Sequence, residues 1–266
     1  LADIPRSDLD VFGDDFLGDP YAFHPQLRDA GPVVWLERYG IYAMARFAEV
    51  SASLKDYETF ASSRGVGLSD FAREEPWRPP SLLLETDPPV HDRTRGLMNR
   101  IVSPQAIKKR IPLWADHAHA LVDRALAKGH IDAVTEIAEV YPMTVFPDTI
   151  GLPVEGRESL LAYAAAAFNA FGPRNALFET SQSAARDSMK WVAGACRRAS
   201  LTDGGWGMDV FRAADAGDCT EEEAERLVRS FLSAGVDTTV NGIGNMLHAF
   251  ATHPEQWARL RADRSL

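Results

Sequence analysis

The chain is 266 residues long, enough to bury a full core, and carries a formal net charge of −10. That acidity argues against a nonspecific nucleic-acid binder and against a protein drawn to anionic membranes. Two cysteines, Cys196 and Cys219, provide neither a disulfide framework nor a C-x-x-C metal pattern, and they fit a reducing cytosol. No signal peptide and no apolar run of about 18 residues is present, so a cytoplasmic protein without membrane association is expected. The chain opens on Leu1 and closes on RLRADRSL, a helix tail and loop, so both ends read as cut. Internal repeats are absent.

Residues 1–30 open with loops and then a short helix over about Pro20 to Ala30, stopped by Gly31-Pro32. VVWLERYGIYAMAR alternates and is rich in aromatic and β-branched residues, which predicts a hairpin of Val33 to Glu37 and Ile41 to Ala45. A helix from about Phe47 to Leu54 follows. Phe60 to Pro89 then reads as one long loop, and such length points to function or disorder. Trp77, Leu82, Leu83 and Leu84 within it need something to cover, either a ligand or the loop's own domain.

Pro88-Pro89 stiffens the entry to a helix over Val90 to Ile101, on which His91 and Arg95 lie four apart on one face. Such a pair is an anion site by chemistry, though such pairs are more often just a solvated face. Pro104 to Lys128 predicts an amphipathic helix with Ile107, Ile111, Trp114, Ala118, Leu121, Val122 and Leu126 inward and Gly129 as its stop. His117 and His119 are two apart and share no face, so they read as packed or surface histidines. His130 to Ala133 predicts a short strand or turn. Thr135 to Ile150 predicts a helix kinked or split by Pro142 and Pro147.

Arg157 to Phe171 predicts a further helix. Phe168 and Phe171 are three apart beside Ala164 and Ala167, a face suited to core packing or to an aromatic lid over a small flat ligand. Asn175 to Ser200 predicts a long peripheral helix with Trp191 and Cys196 as packing groups. Arg197 and Arg198 beside Cys196 favour a lowered thiol pKa, but no paired His accompanies it, so a catalytic thiol is not expected. Val210 to Ala216 predicts a short helix.

The chain's organising stretch is Thr220 to Pro254. Thr220 and Glu223 form a capping-box start and Pro254 a stop. The intervening residues predict one helix roughly 50 Å long, apolar on several faces, its middle running through a core. That middle is Ala234, Gly235, Val236, Asp237, Thr238, Thr239. It suits a groove in which a ligand approaches the backbone and Asp237 and Thr238 manage protons or water. It also suits a bend whose polar groups are satisfied by the preceding turn.

AGVDTT resembles the oxygen-binding helix of cytochromes P450, with its pattern (Ala/Gly)-Gly-x-(Asp/Glu)-Thr-Thr. DPPVHDRTR resembles the same family's DPPxHxxxR signature, here followed by Ile101-Val102-Ser103-Pro104. The likeness runs in order along the whole chain. It implies a mainly α cytochrome P450 fold with small β-sheets, a single but incomplete domain over 1–266, ending just after the long central helix. The nearer likeness is to bacterial class I P450s that oxidise para-substituted benzoates, on the strings RGVGLS, PWRPPS, EVYPMTVFPD, FNAFGPRNA and LVRSFLSAGVDTTVNG.

By that resemblance His91 and Arg95 bind a propionate of haem b, Ala234 and Gly235 border the cofactor, and Asp237 and Thr238 supply protons during oxygen activation. Arg78, Ser81 and Ser230 lie at or near the substrate carboxylate; Leu84, Phe168, Phe171, Ser233 and Ala234 line the aromatic slot. The implied reaction is hydroxylation or O-demethylation of a small aromatic carboxylic acid such as 4-methoxybenzoate. Electrons come from NADH through a reductase and a [2Fe–2S] ferredoxin, docked on basic residues among Arg93, Arg100, Lys108, Lys109 and Arg110, and the protein is expected to be monomeric. The chain departs from the family in having, beyond the AGVDTT helix, neither an E-x-x-R helix nor the F-x-x-G-x-x-x-C-x-G loop whose Cys ligates iron, so no metal ligand is assigned. A non-catalytic helical binding domain derived from the distal half of a P450 is the alternative.

Overall fold

The computed structural model describes residues 4–266, so the first three residues of the opening loop lie outside the described part. The chain divides into two compact units. One comprises the described residues up to Pro80 together with Leu84–Asp87 and Asn169–Phe178; the other comprises Ser81–Leu83, Pro88–Phe168 and Glu179–Leu266.

The first unit opens with β1 (Arg6–Ser7), α1 (Asp14–Gly18) and a 3-10 turn over Pro20–Ala22 before α2 (His24–Ala30). The helix expected from Pro20 is thus two pieces. Pro25, in the first turn of α2, lacks an N–H and so suits a helix start. β2 (Val34–Leu36) and β3 (Ile41–Ala43) form the expected hairpin, and β1 adds parallel to β2. The period-2 pattern works as it should. Val34 and Leu36 enter a core with Leu27, Phe16 and Ile41, while Trp35 turns to the other face against the Tyr42 ring, 4.8 Å away between centroids. α3 (Phe47–Ser53) completes the regular structure of this segment.

Residues 54–89 contain no helix or strand. Short-range bonds fix their path: Ser62 and Ser63 donate backbone N–H groups to Asp87 at 2.9 and 3.0 Å, and Arg64 Nε donates to Asp70 at 3.0 Å. In the same unit Leu68 N–H donates to Phe171 O at 3.0 Å. A Cβ on Gly67 would lie 2.7 Å from Phe171 Cα, so this approach requires glycine.

The second unit is helical: α4 (Val90–Ile101), α5 (Pro104–Lys128), a π-helical turn over Val134–Ala138, α6 (Val140–Ile150), α7 (Ser159–Asn169), α8 (Ala176–Ala184), α9 (Arg186–Ala195), a 3-10 turn over Arg198–Ser200, α10 (Trp206–Asp215), α11 (Glu221–Gly235), α12 (Asp237–Thr252) and α13 (Pro254–Ala262). The first residues of α8 fall in the other unit. α5 begins on Ser103, whose hydroxyl accepts the Ala106 N–H, and stops at Gly129 as its sequence dictates. Trp114 ties it to α6, donating Nε1–H to Thr149 Oγ1 at 3.0 Å, while Tyr141 Oη donates to Trp114 O at 3.0 Å. Phe211, Leu97, Ile150, Leu160, Leu227 and Leu232 are fully buried in this unit.

Several expectations are corrected. The helices do not stop just after a long central helix: α13 carries the helical run almost to Leu266. The central helix is itself two helices, broken at Val236. Its second half does not traverse a core, since only Val240 of α12 is buried and Met246 is 48% exposed. On α5 only Leu121 of the predicted inward set is buried, and Leu126 is 73% exposed. The predicted Asn175 to Ser200 helix breaks into α8, α9 and a 3-10 turn, and His130 to Ala133 forms no strand. Periodicity reports which face is apolar, not whether anything covers it.

Candidate active site

Thr220 Oγ1 accepts the Glu223 N–H at 3.1 Å and Glu223 accepts the Thr220 N–H at 2.9 Å, a complete capping box that fixes where α11 starts. Fifteen residues later the helix breaks at Val236, whose φ and ψ are −95° and −70°. Two threonine hydroxyls bond back into the preceding turn: Thr238 Oγ1 donates to Ala234 O at 2.6 Å and Thr239 Oγ1 to Gly235 O at 2.9 Å. Hydroxyls that take carbonyls four residues back bend helices. Asp237 is half-buried and its Oδ2 accepts from Asn241 Nδ2 at 3.0 Å, one turn on. Thr238 is exposed. The break therefore presents an acid and a hydroxyl side by side, both anchored by a single contact.

Gly235 has a packing reason. A Cβ there would lie 1.9 Å from Cζ of Phe146 on α6, so the ring fills the space a side chain would need. Ser233 Oγ lies 3.3 Å from the hydroxyl of buried Tyr163 and 3.4 Å from Arg229 O. Ser230 Oγ donates to Arg226 O at 3.1 Å. Ser230, Ser233, Ala234 and Asp237 thus follow one another along α11 and into α12.

On α4, His91 Nδ1 lies 3.1 Å from Asp92 Oδ1. Arg95 is exposed and makes no hydrogen bond or ion pair among the described residues. An uncommitted guanidinium one turn from an imidazole is a donor set that fits carboxylates, including those of a haem. The neighbouring arginines are committed elsewhere. Arg93 Nη1 donates to Glu223 at 3.1 Å and to Asp218 O at 3.1 Å, Arg100 pairs with Asp218 at 2.5 Å, and Arg110 donates to Gly204 O. Arg93 holds the Glu223 carboxyl below its usual range. Ion pairs thus take Arg93 and Arg100 out of the expected basic docking patch, while Lys108, Lys109 and Arg110 have none among the described residues.

In the other unit Arg78 is buried, its side chain 9% exposed, and pairs through Nη1 with Glu85 at 2.9 Å, itself 3% exposed. Ser81, in the helical unit, is buried and its Oγ accepts the Leu83 N–H at 3.2 Å. Leu84 and Phe168 are exposed and Phe171 half-buried. Sequence reading missed Glu85, Phe146 and Tyr163. Glu85 carries a signal, an acid directly after three leucines, but no periodic rule pairs it with Arg78 seven residues away.

The cysteines are inert. Burial pushes the Cys196 thiol up to about 12, overriding the opposing influence of Arg229, and also raises Cys219. The lowering expected from Arg197 and Arg198 is thus reversed, since desolvation of a thiolate outweighs a nearby charge. Iodoacetamide at pH 7.5 is expected to leave both thiols unmodified in the native protein and to label both in denaturant. Rapid native labelling of Cys196 would refute its burial. No group of residues able to hold a metal ion occurs among the described residues, and no helix there is long and apolar enough to cross a membrane.

No protein-family model matches the chain. Individual proteins do. The chain is 50% identical over all 266 residues to cytochrome P450 CYP199A2 of Rhodopseudomonas palustris, of which it spans 65%. It is 30% identical to the cytochrome P450 monooxygenase PikC of Streptomyces venezuelae, with 98% of this chain and 63% of the relative aligned. Among solved structures, cytochrome P450 CYP109Q5 from Chondromyces apiculatus matches with a TM-score of 0.73 and 28% identity, over 97% of this chain and 64% of that one. The CYP116B5 heme domain of Acinetobacter radioresistens reaches a TM-score of 0.81 at 19% identity, over 97% and 66%. The chain thus spans just under two thirds of the curated relatives it matches. Half of all residues shared with one P450 from end to end, on helices that follow those of others, make this chain a member of the cytochrome P450 family.

Proposed function

We propose that the protein to which this chain belongs is a haem-thiolate monooxygenase acting on a small para-substituted aromatic carboxylic acid, with 4-methoxybenzoate as the type substrate. The observation that carries the reading is the break at Val236, which sets Asp237 and Thr238 side by side, each tied to a residue one turn away. Haem b, when bound, supplies the oxygen chemistry that a polypeptide cannot perform. The chain's own residues bind, orient and move protons. Arg95, with His91 one turn away, holds a haem carboxylate by charge-assisted hydrogen bonds. Asp237 takes up and releases a proton at its carboxylate, and the Thr238 hydroxyl, whose own proton goes to Ala234 O, accepts a hydrogen bond on its oxygen and so holds a proton donor in place. Arg78 offers the charge that a desolvated benzoate needs. Orientation of the para group then decides which C–H bond is attacked.

The proposed electron route is NADH, a reductase and a [2Fe–2S] ferredoxin, in the cytoplasm. The test uses the full-length protein, haem-loaded, with such a ferredoxin and reductase. Supplied with 4-methoxybenzoate, NADH and dioxygen, it is expected to form 4-hydroxybenzoate and formaldehyde in equal amounts. A haem-loaded protein that binds the acid but yields neither product would instead make it a binding domain.

A further inference from the structure

Arg78 and Glu85 form the ion pair with the lowest exposure on both sides among those described, and it lies within one irregular stretch of chain. Its geometry is one-sided. Nη1 serves both Glu85 Oε2 at 2.9 Å and Pro79 O at 3.1 Å, whereas Nε is buried and has no acceptor. A buried N–H without a partner is costly and rare, so it implies a group that arrives. In a guanidinium the Nε–H and one Nη2–H lie parallel along the edge away from Nη1, spaced to match the two oxygens of one carboxylate. Trp77 packs against the same guanidinium, 5.2 Å from ring centroid to Cζ, and restrains its plane.

We infer that Glu85 is a positioning residue: it clamps Arg78 by Nη1 and thereby turns the Nε–Nη2 edge to the carboxylate of an aromatic acid. This rests on the acid-substrate reading above. Glu85 also tunes the strength of that contact. The Arg78–Glu85 pair carries no net charge, so the acid is recognised by the shape of the edge more than by attraction to a bare cation. Removing the negative charge while keeping an acceptor leaves Arg78 buried and uncompensated, and an incoming carboxylate then supplies the missing partner. Shortening the clamp while keeping its charge does the reverse, because the guanidinium is no longer held in place.

The experiment measures dissociation constants by isothermal titration calorimetry on full-length, haem-loaded protein, for 4-methoxybenzoate and its uncharged methyl ester. In E85Q the acid is expected to bind about tenfold more tightly, and in E85D about fivefold more weakly, with the ester unchanged in both. A purely structural role would move acid and ester together. Acid-to-ester ratios within about twofold of wild type in E85D, and in E85Q where it folds, overturn the inference while leaving the acid reading intact. Equal binding of acid and ester by the wild type overturns both at once. E85D preserves the buried pair's charges, so its result decides the question even where E85Q does not fold.

Discussion

Asp237→Asn in the full-length, haem-loaded enzyme is expected to lower kcat by about 10²-fold or more, the range lost when a positioned proton carrier is removed. Binding of the acid should stay nearly unchanged. The structure makes this substitution a clean one. Asp237 Oδ2 accepts from Asn241 Nδ2 at 3.0 Å, and an asparagine oxygen at the same place accepts that bond equally well. Shape and local hydrogen bonding therefore persist, and only the capacity to take and release a proton is lost. A solvent isotope effect on kcat should grow as proton transfer becomes limiting. Thr238→Ala tests the neighbour by a different readout. It removes the hydroxyl bonded to Ala234 O at 2.6 Å and should divert reducing equivalents into hydrogen peroxide, so product formed per NADH consumed should fall sharply. Wild-type turnover in D237N, or wild-type coupling in T238A, would remove the corresponding residue from the proton path.

The features of the chain differ in how far the sequence could disclose them. Helix starts and stops are local chemistry, and two were readable: Thr220 with Glu223, and Gly129, each act within one turn of the backbone they cap. The bend at Val236 was half readable. Adjacent threonines four residues beyond Ala234 and Gly235 permit bonding back to those carbonyls, but permission does not break a helix. Long-range pairings were not readable at all. Arg93 meets Glu223 across 130 positions, and this removes Arg93 from the basic surface the sequence suggested. Arg78 meets Glu85 inside a stretch without regular structure, where no period relates one residue to another. Burial failed for a similar reason. The apolar stripes of α5 and α12 are real, yet Leu126 and Met246 are exposed, since amphipathicity is a property of one helix and burial a property of two.

Gly235→Ala is expected to destabilise the protein by about 1 to 3 kcal/mol, the usual cost of overpacking. The expectation runs against helix propensity, which alone would favour alanine over glycine by up to about 1 kcal/mol. Close approach decides the sign. A Cβ at this position would fall 1.9, 2.2 and 2.6 Å from Cζ, Cε1 and Cε2 of Phe146, so it meets the whole tip of the ring and not one flexible atom. Either Phe146 withdraws from α11, or the end of α11 shifts and carries the break at Val236 with it. Truncating the ring distinguishes clash from any other cause. F146L removes the ring tip, so adding G235A to it should cost little or restore the propensity gain. The coupling between the two substitutions should then reach about 1 to 3 kcal/mol, as for residues in direct contact. Denaturant midpoints read at unchanged slope provide the comparison. G235A as stable as wild type, or costs that simply add in the double variant, would show that Phe146 is not what reserves this position for glycine.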